Sequence, residues 1–522
     1  MIKKLLMILS LPLVLFAQEQ NKNTQNVELP EFVITGVERV SMPAAAKPKA
    51  ELVPTLSTGF FKPQYSPEEL PVAELSNPVR KDIIFVNDSA KFNGRLIVGA
   101  GVYTIPMGSL TYGKSFNNGL FTGKLWGTNQ RSYYKDNSDY NNSGIDLNTD
   151  LFSSYNSEFL PGAKFTIGAG YERDAYKFFA SDNPALKRER SRGQLRFGLN
   201  NLMNPVFKYG VNIKETMSYI KDADLSENTF SAKGYLETGY DGIILGAVPE
   251  YKFSKNSFFG TSGYAKFKPS DNLHFSAGLY FAASGDEKSF FPIGTVTLKL
   301  SDNLTLLGEM SPYSELVTVT DLVYQNRWLS TKGVKNIYVD NKMNLKGALK
   351  YEYGKYFEID GGFRFVDYNN YPYFVPDDSV KGVFDVRTAK AKRFTGFLNF
   401  LFHPGPYGIF YGNVEIEHFN DNNKNYVPYN AGFRSSLSYD YDFDFGLKTE
   451  SRLAFASSVW ADAPNTKQID PYLNLSLRLG YEIAQGFDLF MEFSNLLNHN
   501  NYIYYGYKEK TMDAVFGLDY RF

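Results

Sequence analysis

The sequence contains no cysteine. No disulfide framework, thiolate nucleophile or cysteine-based metal site can operate, and lipidation at a cysteine behind an export signal is excluded. Histidine is almost as scarce, with His274, His403, His418 and His499 scattered along the chain. Neither Gly-x-Ser-x-Gly nor His-Glu-x-x-His occurs, so the sequence offers little for nucleophilic or metal-assisted catalysis, and a non-enzyme with no cofactor is expected. His418 beside Glu417 and Asn420 is the one cluster worth naming, and solvated loop or lumen residues account for it. A net charge of −1 and a pI near 6.5 give no basic footprint for nucleic acid. Beyond Phe16 no apolar run approaches the roughly 20 residues of a membrane-spanning helix.

Aromatic residues are abundant, at 16% of the chain, dominated by 44 Phe and 38 Tyr. Together with a mildly polar mean hydropathy of −0.32, they suit strands that put one face in lipid and the other in water. The final residues show this pattern. Met512, Ala514, Phe516, Leu518, Tyr520 and Phe522 fall on one face, Asp513, Asp519 and Arg521 on the other. Phe516, Leu518, Tyr520 and Phe522 are thus expected to form the terminal strand presented to the barrel-assembly machinery. In Tyr472 to Ile483, Leu473, Leu475, Leu477, Leu479, Tyr481 and Ile483 would face lipid, while Asn474, Ser476, Arg478 and Glu482 would face a lumen. Phe487, Leu489, Met491 and Phe493 sort outward against Asp488, Glu492 and Ser494. Met343 to Tyr353 and Leu96 to Val102 alternate likewise.

At the other end, Lys3 and Lys4 precede an apolar run from Leu5 to Phe16, with Ala17 as a small residue for cleavage. Residues 1–17 read as a secretory signal peptide. From Gln18 to Asp88 the prolines Pro30, Pro43, Pro48, Pro54, Pro63, Pro67, Pro71 and Pro78 interrupt every potential helix or strand, so 18–88 is expected to be an extended periplasmic segment. Residues 89–522 then read as one all-β domain, a transmembrane antiparallel β-barrel of about 22 strands, with 18 or 20 also compatible. Short links at Phe116 to Gly119, Leu160 to Ala163, Ser301 to Asn303, Gly354 to Tyr356, His403 to Tyr407 and Ala484 to Gly486 alternate with longer ones. The longer ones are Tyr134 to Ser143, Ala180 to Gly193, Pro312 to Lys342, Asp367 to Gly382 and Asn498 to Lys510. The expected location is the outer membrane of a Gram-negative-type bacterium, in contact with its lipid.

From about Lys268 to the end the chain resembles the TonB-dependent outer-membrane receptors. The likeness lies in the Phe-Asp-Leu-Phe-Met-Glu-Phe-Ser-Asn-Leu-Leu-Asn run from Phe487 to Asn498, in the closing Gly-Leu-Asp-Tyr-Arg-Phe, and in Pro292 to Leu329 as a mid-barrel strand pair with its loop. The resemblance implies import of a small-molecule ligand and a partner, TonB, that pairs by strand addition with a short N-terminal segment. Glu31, Phe32, Val33, Ile34, Thr35 and Gly36 fit that segment loosely. It also implies a folded plug, for which Gln18 to Asp88 is poor material. That leaves three readings open: the proline-rich segment fills the lumen, a lipoprotein or plug partner seals it, or the barrel is a passive pore. A scaffold for a surface lipoprotein or neighbouring barrel is a further alternative, with Pro312 to Lys342 as its handle.

Two charged patterns point to ligands. Arg188, Arg190, Arg192 and Arg196 share one face of a strand, and Lys208 and Lys214 follow on the next, a possible lumenal stripe for anions. Glu172 and Asp174 on the preceding strand offer cross-strand partners instead. Asp139, Asn141, Ser143, Gly144 and Asp150 have the spacing of a calcium loop without its helices, and an ordinary surface loop is the plainer reading. Gly99 to Gly101 and Gly168 to Gly170 fit close strand contacts rather than phosphate cradles.

Overall fold

The computed structural model describes residues 93–154, 160–201, 207–354 and 356–522. The expected signal peptide (1–17), the proline-rich segment (18–88) and Glu31 to Gly36 lie outside these residues. Strand follows strand in antiparallel pairing from Gly94–Gly101 to Asp513–Arg521, and the first pairs with the last, Arg95 opposite Arg521 and Gly101 opposite Val515. The result is a closed barrel of 22 strands. Closure removes the free edge that an open sheet of this size would expose. No helix among the described residues is long and apolar enough to cross a membrane.

Alternation fixes which face each side chain takes. Phe516, Tyr520 and Phe522 are 54%, 41% and 43% exposed on the outer wall, whereas Asp519 between them is buried and bound by Arg95. Leu453 faces outward opposite Leu475, and Arg478 faces inward opposite Glu492, which it meets at 3.3 Å. One strand is interrupted: Leu304–Met310 stops at Ser311 and Pro312 and resumes as Tyr313–Val317, both pieces pairing with Ile337–Tyr353. A proline cannot donate to the ladder, so the break falls there.

All six short links expected from the sequence lie at the end where Gly94 and Phe522 hydrogen-bond to each other. At the opposite end, the loop end, the longer connections are more ordered than expected. Tyr140–Phe152 and Lys187–Asn201 are strands through much of two presumed loops, and Phe357–Pro376 extends to Pro376. The alternation of long and short is also incomplete, because tight turns join Gly101 to Thr104 and Ser284 to Glu287 at that same end.

Candidate functional site

The loop end carries a hydrophobic core of its own. Phe178, Phe179, Leu322, Trp328, Leu329, Phe374, Phe384, Phe419, Tyr504 and Tyr507 bury one another there, contributed by connections and strand ends far apart in sequence. Trp328 stacks on Tyr507 with centroids 3.7 Å apart, and Phe179 meets Tyr507 edge-on at 4.9 Å. Aromatic pairs of this kind add to the burial of large apolar surface.

At its centre is the segment Thr318 to Ser330, which leaves the wall at Tyr313–Val317 and crosses the mouth to the strands Lys164–Lys177 and Lys187–Asn201. It begins with a helix, Val319–Gln325, capped reciprocally: the Asp321 N–H donates to the Thr318 hydroxyl at 3.2 Å, and the Thr318 N–H to the Asp321 carboxylate at 3.0 Å. The cap satisfies donors that a helix start leaves orphaned. Glu227 accepts the Thr320 N–H at 2.8 Å and a second hydrogen bond from Ser254. Beyond the helix, donors grip main-chain carbonyls. Arg190 reaches Val323 O at 2.7 Å, Arg188 reaches Leu329 O at 2.7 Å, the Tyr176 hydroxyl reaches Arg327 O at 2.6 Å, and the Tyr504 hydroxyl reaches Gln325 O at 3.2 Å. Ser330 and Phe384 close the far side by backbone hydrogen bonds.

The connection Pro312 to Lys342 is therefore not the exposed handle expected of it, since Leu322, Val323, Asn326 and Leu329 are fully buried. Sequence periodicity gave no sign of this. Thr318 three residues ahead of Asp321 did carry a readable helix-start signature.

The arginine stripe is a wall of ion pairs. Arg188 binds Asp222 at 2.9 Å, Arg190 binds Asp174 at 2.8 Å, Arg192 binds Glu172 at 2.9 Å and Arg196 binds Asp146 at 2.7 Å. Arg196 reaches Asp146 across the intervening strand because Gly168 and Gly170 lie between them. A Cβ at Gly168 would stand 2.8 Å from the Arg196 Nε, and one at Gly170 would stand 2.9 Å from the Asp146 carboxylate. Lys208 sits opposite Glu237 in the ladder, and Lys214 faces the lumen beside Arg196.

The calcium-loop spacing dissolves for a simple reason: Tyr140–Phe152 is a strand, so Asn141 and Ser143 share a face with Ile145 while Asp150 points to the other. Gly144 lies in that strand too. Asp150 binds Lys164 and Asp139 binds Lys177, each at 2.9 Å, and no cluster of three or more metal-ligating side chains occurs among the described residues. His418 and Glu417 likewise point to opposite faces, His418 against Tyr426 and Glu417 toward Arg393 and Arg434. They form no acid–base pair.

Beneath the helix lies a lumenal cavity of about 910 Å³. Thr320, Asp321 and Tyr324 form part of its roof, and Arg192, Lys214, Lys252 and Arg364 are among its wall residues. Lys252 ties roof to wall, bonding Leu316 O at 2.8 Å and Asp321 at 3.1 Å. Tyr324 lies against two guanidinium groups, Arg190 at 4.2 Å and Arg192 at 4.1 Å. Burial pushes its phenol up to about 12 against the pull of both arginines, so the hydroxyl stays a hydrogen-bond donor at neutral pH.

This wall and roof invite comparison with solved barrels. A siderophore receptor, PiuA from Acinetobacter baumannii, aligns with a TM-score of 0.61 at 11% identity, over 83% of this chain and 82% of its own. The fold is that of the TonB-dependent receptors. The FrpB iron transporter from Neisseria meningitidis aligns with a TM-score of 0.63 at 10% identity, over 83% and 82% of the two chains. The ferric-catecholate import receptor Fiu from E. coli gives 0.61 at 9% identity, over 83% and 82%. No family model matches the chain, and no curated protein matches it by sequence. At these identities the likeness to TonB-dependent receptors is one of architecture.

Proposed function

We propose that this chain is an outer-membrane transport protein that takes up a small ligand through its lumen, with the loop-end cap as the gate and the cavity beneath the helix as the holding site. The observation that carries the reading is the cap itself, because a barrel whose own connections roof a polar cavity is built to admit selectively. The siderophore and iron cargoes named for the structural neighbours favour a small solute. Within the expected stripe, Arg188, Arg190, Arg192 and Arg196 are paired with carboxylates, and Lys214 remains as the cation turned to the cavity, so anionic groups on the ligand would meet it first. Energy would come from TonB pairing with Glu31 to Gly36 by strand addition.

The test is conductance in planar bilayers. The full chain should show little steady current, and replacing residues 318–330 with a Gly-Ser linker should open a large one. Steady large openings of the unaltered protein would make it a passive pore and end the gated reading.

A further inference from the structure

Near the loop end, cations collect on the outside of the barrel, away from the lumen. Arg173 and Lys177 share the face of Ile167 and Tyr171, which are 53% and 48% exposed on the outer wall. On the next strand Lys187 and Glu189 share the face of Leu195, 53% exposed, and of Phe197. Lys221 follows the exposed Met217 and Tyr219 of the strand after that. Glu189 serves three of these cations at once, Lys187 at 2.5 Å, Arg173 at 3.1 Å and Lys221 at 3.7 Å. Lys177 and Lys187 stand directly opposite each other in the ladder, with Asp139 on Lys177 at 2.9 Å. The nearby Asp224 accepts from the Tyr219 hydroxyl at 3.3 Å.

One carboxylate among three cations leaves positive charge over, and like charges facing across a ladder work against the sheet. Directly below this group, toward the middle of the barrel wall, that face of the same strands carries Ile167, Tyr171, Leu195 and Phe197, with Ser191 between the two levels and Glu215 opposite Leu195 on the third strand. A molecule that satisfies both levels has an anionic head and hydrocarbon tails. We infer that Arg173, Lys187 and Lys221 bind the phosphate of a phosphorylated lipid in the outer leaflet, its chains lying along the wall below. Arg173 supplies a planar fork suited to two phosphate oxygens, and the lysines add compact charge. The site faces lipid and is independent of the transport reading, needing only that the barrel sits in a membrane.

The experiment uses the full chain purified in a maltoside detergent, with binding of short-chain phosphatidic acid, short-chain phosphatidylcholine and inorganic phosphate each followed by native mass spectrometry. Phosphatidic acid is expected to bind roughly tenfold tighter than phosphatidylcholine, an advantage that the triple variant R173Q/K187Q/K221Q should remove, since each basic group near a lipid surface counts for a factor of several. Lys221→Gln alone, in a turn where folding is tolerant, should lose about two- to fivefold by the same reasoning. Equal binding of the two lipids, or binding of phosphatidic acid unchanged in both variants, would overturn the site. Inorganic phosphate binding as tightly as phosphatidic acid would also overturn it, as a site for free anions.

Discussion

Trp328 lies flat on Tyr507, their ring planes 17° apart. The two belong to connections from well-separated parts of the barrel, so the pair joins the crossing segment to the hairpin of Tyr502–Tyr504 and Tyr507–Lys508. Trp328→Ala should cost about 3–5 kcal/mol of cap stability, as for other large buried aromatics. Tyr507→Phe should cost only about 1 kcal/mol, the worth of one hydrogen bond, here from its hydroxyl to Gly382 O. Hydrogen exchange should report both losses in residues 318–330 and 501–508 while barrel strands keep their protection. Equal protection of the cap in wild type and Trp328→Ala would show that the stack holds nothing.

Arg190 and Asp174 form a pair that is buried on both sides, at 5% and 3% side-chain exposure. Arg190→Ala strands the carboxylate, and removing one member of a buried pair costs about 3–5 kcal/mol. The crossing segment loses its Val323 anchor at the same time. Trypsin should then cut after Arg327, which is protected in the parent. The double variant R190M/D174L should be nearer to parent stability, because no charge is left uncompensated. If trypsin treats Arg190→Ala and the parent alike, the clasp is redundant.

Asp321 gives the cap a pH dependence. Burial by itself would raise its carboxyl pKa, but the Lys252 ammonium and hydrogen bonds from Thr318 outweigh it and hold the group below its ordinary 3.8. A folded-state pKa below the unfolded value adds stability in full above that unfolded value and loses it as pH falls through the folded one. Trp328 emission, read in a W126F/W460F background, should therefore stay constant from neutral pH to about 4 and shift red at lower pH. Asp321→Asn should remove the acid limb attributable to this contact. A shift centred near neutral pH would contradict it.

The barrel was legible because strands such as Tyr472–Ala484 and Asp513–Arg521 repeat one physical rule: leucines and aromatics two residues apart on one side, charges on the other. The pairing of Arg190 with Asp174 and of Arg192 with Glu172 was legible too, since direct cross-strand neighbours follow once the register is known. Arg188 finding Asp222 and Arg196 finding Asp146 was not, because one partner lies in a turn and the other lies two strands away across glycines. The cap was the least readable part. Trp328, Phe384, Tyr429 and Tyr504 come from different loops and strand ends with no shared period, and burial decided among contacts that sequence spacing does not encode. A long loop read from composition alone looks solvated, so composition by itself makes Pro312 to Lys342 a handle.

Arg188, Arg190, Tyr176 and Tyr504 all hydrogen-bond the crossing segment through its peptide oxygens. Peptide oxygens are the same whatever residue bears them. Thr320 and Tyr324 can thus be exchanged for other residues while the arginines and tyrosines keep hold of the same atoms, whereas Asp321 is fixed by its helix cap and its bond to Lys252. A descendant of this protein could acquire a new cargo by rewriting two roof positions, with the grip on its peptide oxygens inherited intact.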